Sequence, residues 1–392
     1  MNVAVVFYGL PPEGGGGFTF QQTVLEALQR LGPSSRHRFT YYAAGGAPAE
    51  VPVIEIPGTR RVRYERRALQ AIRDVQDRLA IPRVGRATWL ERSLQANDIE
   101  FVWFASHYME DCGQPFMCTI WDLAHLDTPW FPEVAADGEW ERRDHYFRRM
   151  LPRASRLIVC NQAGEDTLRR TFHVPADRLV QLPMPTPSFA TEAPQADPAA
   201  ALRAHNVTAP FLFYPAQFWA HKNHYNALRA LTALNERRSV PFQLVLVGSD
   251  KGQLDHVRAT ATALGVADRV RNLGFVEIEE LVALYRGAHA LLYLSFFGPE
   301  NLPPLEALAL GCPVVCADVP GMREQLGEGA SYAVPTDIDA IVAAVEGLDD
   351  EATRTRQLAA GLVIAGERTA TGYVQRVLDE LDAFEPIRRT WT

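Results

Sequence analysis

Short apolar runs alternate with amphipathic helical stretches along this sequence, and the alternation stops once, at a proline-rich break, before starting over. No other pattern in the chain restricts its fold as strongly. VAVVF at 3–7 leads into a glycine loop and a helical stretch near 18–31; RFTYYAA, VPVIEI, IEFVWFAS, FMCTIWD and RLIVCN follow as further strands. None of these runs alternates cleanly, which suits strands covered on both faces of a parallel sheet. Residues 184–210 are rich in Pro, Ala and polar residues and read as a linker with one short helix. Strands then resume with FLFYPA, FQLVLVGS, VRNLGFV, ALLYLS and PVVCAD, separated by helical stretches, and an i, i+3, i+4, i+7 stripe near 371–385 closes the pattern. The expectation is an α/β chain with two Rossmann-like domains of parallel strands, residues 1–190 and 205–370, followed by a terminal helix within 371–392. Ligands of such sheets sit beyond the C-terminal ends of the strands, so two facing domains define a cleft for something nucleotide-like. The fold alone does not name the reaction.

The length, 392 residues, fits two domains of roughly 150–200 residues. A formal net charge of −8 argues against general nucleic-acid binding. No apolar run reaches the roughly 18–20 residues needed to span a bilayer, and the N-terminus reads as a first strand rather than a signal peptide; a cytoplasmic protein is expected. Cys112, Cys118, Cys160, Cys312 and Cys316 are odd in number, lie in apolar surroundings and have no matching Cys/His pair, so they read as reduced core thiols and not as a zinc site. The chain holds 37 arginines and only two lysines, Lys222 and Lys251. A lysine retained against that bias is a functional candidate.

The most informative segment is FFGPENLPPLEALALGCPVV, residues 296–315, which passes from a strand into a helix and then another strand. Asn301 is placed as N-cap, with Pro303 and Pro304 in the first turn where a missing N–H is harmless. Free N–H groups at Asn301, Leu302 and Leu305, with the positive helix end, would make an anion site suited to a diphosphate. Glu306, one turn in, is placed either to accept hydrogen bonds from ribose hydroxyls or merely to complement the helix end.

On these residues the chain resembles the family 4 retaining glycosyltransferases of the GT-B fold. Their signature is two glutamates at this turn, followed by a Gly-Cys/Thr-Pro-Val-Val strand; Glu306 matches the second, and Gly298 stands where the first would be. The resemblance makes Glu300 or Asn301 a partial substitute for that first acid. In YPAQFWAHKNHYNALRAL, 214–231, it places Lys222 on the donor diphosphate, with Gln217 where an arginine would stand. A compact ammonium there stabilises the leaving group in place of a divalent metal; the other reading of Lys222 is a solvated surface lysine. Asn223 fits a helix start. RNLGFVEIEEL, 271–281, resembles the base-binding turn, with backbone at Phe275 and Val276 against the base, and the GSD at 248–250 lines the same pocket.

PEGGGGFTFQQTVLEAL, 12–28, lacks the GxGxxG spacing of a dinucleotide site and the Gly-Lys-Ser/Thr of a Walker loop. The resemblance turns Gly15 and Gly16 towards the donor phosphates; bare, the glycines are a flexible loop. In CTIWDLAHLDTPWFPE, 118–133, Trp121 replaces the family's histidine, leaving Asp122 and His125 as candidates for donor sugar or acceptor. The alternative is that Asp122 caps a turn and His125 packs under Trp130. In RRVRYERRALQAIR, 60–73, Arg60, Arg63 and Arg67 share one helical face, suited to an anionic lipid-linked acceptor or membrane surface, or simply solvated.

The resemblance implies that the first domain binds a saccharide or lipid-linked acceptor and the second a nucleotide-sugar donor, with the final helix packing back on the first. It implies front-face transfer with retention, no metal or other cofactor, and a setting in polysaccharide or lipopolysaccharide assembly at the inner face of a membrane, with GDP-linked mannose or a related deoxyhexose as donor. Rival readings are a GT-B epimerase or hydrolase, a phosphorylase, and a non-catalytic sugar-nucleotide-binding scaffold. The imperfect glycine loop disfavours a dehydrogenase.

Overall fold

The apolar runs become the strands of two parallel sheets. The structure, a computed structural model, describes residues 1–8, 15–46, 51–57, 87–194, 197–208 and 210–391, together with 68, 71, 72 and 75. The first sheet contains β1 (Asn2–Tyr8), β2 (Arg38–Ala44), β3 (Val53–Glu55), β4 (Phe101–Phe104), β5 (Phe116–Ile120), β6 (Arg156–Val159) and β7 (Leu179–Gln181), in the order β3-β2-β1-β4-β5-β6-β7. The second contains β8 (Phe211–Pro215), β9 (Gln243–Val247), β10 (Val270–Asn272), β11 (Ala290–Tyr293), β12 (Val314–Ala317) and β13 (Ser331–Ala333), in the order β10-β9-β8-β11-β12-β13. Every ladder is parallel. Strands β4, β5, β9, β11 and β12 are buried at every position, which accounts for their unbroken apolar sequence. This is the two-domain α/β arrangement expected from the alternation.

In both sheets the order reverses beside the first strand, between β1 and β4 and between β8 and β11. Those reversals open the crevices where ligands of such sheets bind. The loops that leave β8 and β9 are held together by a bridge between Phe218 and Asp250. Gly248 has φ +150°, and a Cβ there would lie 2.4 Å from the Ala216 carbonyl oxygen, so no other residue fits this approach.

The connection between the sheets holds two short helices, Ser188–Thr191 and Ala199–Ala204, where the sequence suggested one. Each starts immediately after a proline, Pro187 or Pro198, and the second also has the Asp197 carboxylate accepting from the Ala199 N–H at 2.9 Å. The final helix, Ala370–Arg388, lies against the first helix, Gly16–Leu31, and the first sheet. Phe384 meets Phe101 edge-on at 5.0 Å, and the Tyr373 hydroxyl is 3.1 Å from Thr119 Oγ1. All five cysteines are buried free thiols. Among the described residues no helix is long and apolar enough to cross a membrane.

Candidate functional site

A cleft of about 650 Å³ opens beyond the C-terminal ends of the strands and takes its walls from both halves of the chain. Gly15–Phe20 at the head of the first helix and the Trp121–Asp122 pair after β5 form one wall. The other is built from the loops after β8, β9, β10 and β11 and from the start of the helix Leu302–Ala309. Among the described residues that line it, Lys222 is the single Lys or Arg.

Lys222 ends a short 3₁₀ turn, Ala220–Lys222, that follows β8. Asn223 fixes the turn: it caps the next helix at φ +55°, and its amide donates to the carbonyls of Leu294 and Pro335 at 3.0 and 2.9 Å. The Lys222 ammonium donates to the Tyr293 hydroxyl at 2.9 Å and to Asn301 Oδ1 at 3.2 Å. Loss of solvation on burial pushes its pKa down to about 8, against the pull of Asp122 and Glu133 across the cleft. A half-buried cation with two neutral partners, at the head of a helix, is prepared for a dianion.

Glu306 lines the same cleft, and its Oε2 accepts from the Tyr285 hydroxyl at 2.6 Å. Burial raises its pKa to about 7 although the Tyr285 hydrogen bond pulls the other way. The helix head itself departs from expectation. Asn301 is in the N-cap place, but its side chain does not cap the helix, and its N–H is taken by Gln325 Oε1 at 3.1 Å. It therefore offers no free N–H to an anion. Leu302 stays in the lining, whereas Leu305 is fully buried in the core and does not line the cleft. Glu300, the other candidate for the acid missing at position 298, also lines the cleft. Its buried carboxylate accepts from Arg368 Nη1 at 2.5 Å and from the Met184 N–H at 2.5 Å, so both oxygens are engaged by the interdomain connections. Gly298 has φ +125°, and a Cβ would fall 2.5 Å from Asn301 Nδ2, so a larger residue there is strained and must displace the Asn301 amide.

Asp122 faces the cleft, paired with Arg143 and accepting from the Ala124 N–H at 3.0 Å. Burial works against its charge, but Arg143 and His107 prevail and hold its pKa at about 2. It is a fixed anion in the wall of the cleft that follows β5. His125 does not join it. The short helix Ala124–Asp127 turns the ring into the core, where it is fully buried and stacks on Phe147 at 5.5 Å. Trp130 is 69% exposed and lies elsewhere, so the packing partner is Phe147. Burial, helped by Arg143, lowers the His125 pKa to about 4 and keeps the ring neutral at pH 7.

Gly15 and Gly16 close on the opposite domain: a Cβ on Gly15 would meet Gln217 Nε2 at 3.5 Å, and one on Gly16 would meet Leu302 Cδ1 at 3.6 Å. Gln217 is held by Ser249 Oγ at 3.2 Å and by the Trp219 indole N–H at 3.0 Å, which gives it a place in the wall without a charge. Phe275, half-exposed, and Val276, buried, lie at the far end with Ile278 and Leu281. Arg60, Arg63 and Arg67 lie outside the described residues.

Several contributors carry no local signal in the sequence. Tyr293 and Tyr285 come from a core strand and a helix that read as packing, and Gln325 and Arg368 reach the site from distant segments. The tight turn around Gly298 was marked by its glycine and proline, but the reason for the glycine appears only with the Asn301 side chain in place.

Residues 201–361 match the family described as glycosyl transferases group 1. The O-antigen chain mannosyltransferase B of Escherichia coli is 29% identical over 218 residues, 55% of this chain and 57% of that protein. The O-antigen chain mannosyltransferase RfbU of Salmonella typhimurium is 28% identical over 131 residues, 33% of this chain and 36% of that protein. The chain thus spans about half, or less, of the length of these curated relatives. Among solved structures, that of HepE from Anabaena in complex with UDP and glucose superposes with a TM-score of 0.71 at 15% identity, over 97% of this chain and 99% of that one. The likeness at that identity is one of fold. The chain has the GT-B fold, and its residues 201–361 resemble the glycosyl transferases group 1.

Proposed function

We propose that this chain is a retaining glycosyltransferase that takes a hexose from a nucleoside diphosphate sugar and needs no metal ion. The observation that carries the reading is the Lys222 ammonium beside the head of the helix Leu302–Ala309, with Glu306 one turn in, inside a cleft shared by two Rossmann-like domains. In this reading the donor diphosphate lies between Lys222 and Gly15–Gly16, the ribose hydroxyls meet Glu306, and the base lies along Phe275 and Val276. The sugar then points towards Asp122 and Trp121. As the bond from the anomeric carbon to the diphosphate breaks, negative charge grows on the leaving oxygen, and Lys222 stabilises it. The acceptor hydroxyl attacks from the same face and its proton passes to the departing diphosphate. The chain supplies alignment and a fixed cation rather than a side-chain nucleophile.

The names of the two O-antigen mannosyltransferases favour mannose or a related hexose as the transferred sugar and a saccharide or glycolipid as acceptor. The test is incubation with UDP- and GDP-hexoses in EDTA, with saccharide and lipid-linked acceptors, followed by NMR of the product linkage. Product with the donor's anomeric configuration is expected. An inverted product would refute retention, and turnover that disappears with EDTA would refute metal independence.

A further inference from the structure

Asn301 stands at the N-cap of the helix Leu302–Ala309 and leaves it uncapped. The N–H groups that an N-cap asparagine accepts from lie two and three residues ahead, and here those residues are Pro303 and Pro304, which have none, so the amide is free for other partners. Here Oδ1 faces the other way and accepts from Lys222 Nζ at 3.2 Å and from the Tyr293 hydroxyl at 3.0 Å. Nδ2 donates to the Gly298 carbonyl at 3.0 Å. The backbone is fixed as well: Gln325, 1% exposed, accepts from the Asn301 N–H at 3.1 Å and donates to its carbonyl at 2.7 Å. The space that the amide fills exists because residue 298 has no side chain.

Both partners that hold the ammonium are neutral. The charged and titratable groups around it are Asp122 and Glu133 across the cleft and His221 and His224 on its own segment. His221 is itself turned onto Glu133, and Asp122 onto Arg143. A neutral acceptor orients an ammonium without cancelling its charge, whereas a carboxylate in the same place would compete with an incoming phosphate. We infer that Asn301, held by Gln325 and assisted by Tyr293, is the positioning residue that aims the Lys222 ammonium at the donor diphosphate. The inference rests on the donor reading of the cleft.

The test uses full-length protein labelled with ¹⁵N-lysine, in which the two lysines give two Nζ signals and Lys251 serves as the internal control. Asn301→Ala is expected to lower the Lys222 titration midpoint and Asn301→Asp to raise it, while Lys251 stays in place. Tyr293→Phe, which keeps the ring beneath the ammonium, is the second variant and is expected to lower the midpoint too. Calorimetry with UDP and GDP supplies the second readout. Asn301→Ala should weaken binding about fivefold in the wild-type background and less than about twofold when Lys222 is already alanine. A Lys222 midpoint indifferent to all three variants, or additive losses in a protein that binds nucleotide, would overturn the role of Asn301 alone. Wild-type protein that binds neither nucleotide would overturn the donor reading and this role with it.

Discussion

Glu306 and Lys222 are charged groups that burial opposes in both cases, one raised to about 7 and the other lowered to about 8. If the ribose needs the carboxylate and the diphosphate needs the ammonium, donor use rises as pH passes 7 and falls as it passes 8. The kcat/KM profile of the free enzyme should therefore be a narrow bell between those limbs, and a flat profile from pH 6 to 9 would contradict the assignment. Truncation of either residue to alanine should lower kcat/KM at least about tenfold, or about 1.4 kcal/mol. Glu306 also bears on stability. Its folded pKa lies above the ordinary carboxylate value, so its ionised form is disfavoured by folding, and stability declines as pH rises from about 4.5 towards 7. Glu306→Gln removes that penalty, and urea unfolding at pH 8 should find the variant more stable by about 1–3 kcal/mol while nucleotide affinity falls. Lower stability at pH 8 would contradict the charge assigned to Glu306. Both residues were legible in the sequence, Lys222 through the scarcity of lysine and Glu306 through its place in the LPPLEALALG run. His125 was not, because a single turn of helix decides whether its ring meets the cleft or Phe147.

At the scale of elements, the turn from Gly298 to Asn301 and the helix that follows bring Glu306 and the Asn301 partner of Lys222 to the cleft. The alternation of apolar runs was enough to place β8 to β12, because strands covered on both faces leave an apolar run; it missed β13, three residues of which only Ala333 is buried, and the helix Leu254–Ala263. Nor was it enough to tell how the helix Leu302–Ala309 begins. Asn301 stands at the N-cap of NLPPLE, but Pro303 and Pro304 offer it no N–H, and its amide goes to Lys222 and Tyr293 instead. Gly298→Ala tests this element without altering any charge. With φ at +125° and only 2.5 Å to the Asn301 amide, the added methyl must displace that amide. A stability loss of about 1–3 kcal/mol, with weaker nucleotide binding, is expected. A variant with wild-type unfolding and binding would contradict the packing described for the turn.

Across the whole molecule, the chain crosses between the two lobes near Met184–Pro187 and again near Arg368–Thr369, and Glu300 binds both crossings at once. Its carboxylate is fully buried, and Arg368 is its cationic partner. On the other side of the cleft Glu133 reaches from the first lobe to the His221 ring and its backbone N–H. The two-lobed plan followed from the proline-rich break. These tethers did not, since each joins residues scores of positions apart, and nothing in the local pattern pairs them. Burial already raises the Glu300 pKa to about 7, so Arg368→Ala should cost about 3–5 kcal/mol in chemical denaturation above that pH, where the stranded carboxylate is charged; a loss below about 1 kcal/mol would mean that the pair does not tie the two crossings together.

The most direct measurement is calorimetric titration of the purified protein with UDP, GDP, dTDP and CMP, each with and without EDTA, beside Lys222→Ala. One nucleoside diphosphate should bind equally well with and without EDTA, with affinity reduced at least about tenfold in the variant. A folded protein that binds none of them, or one whose binding is indifferent to Lys222, would contradict a donor site in this cleft.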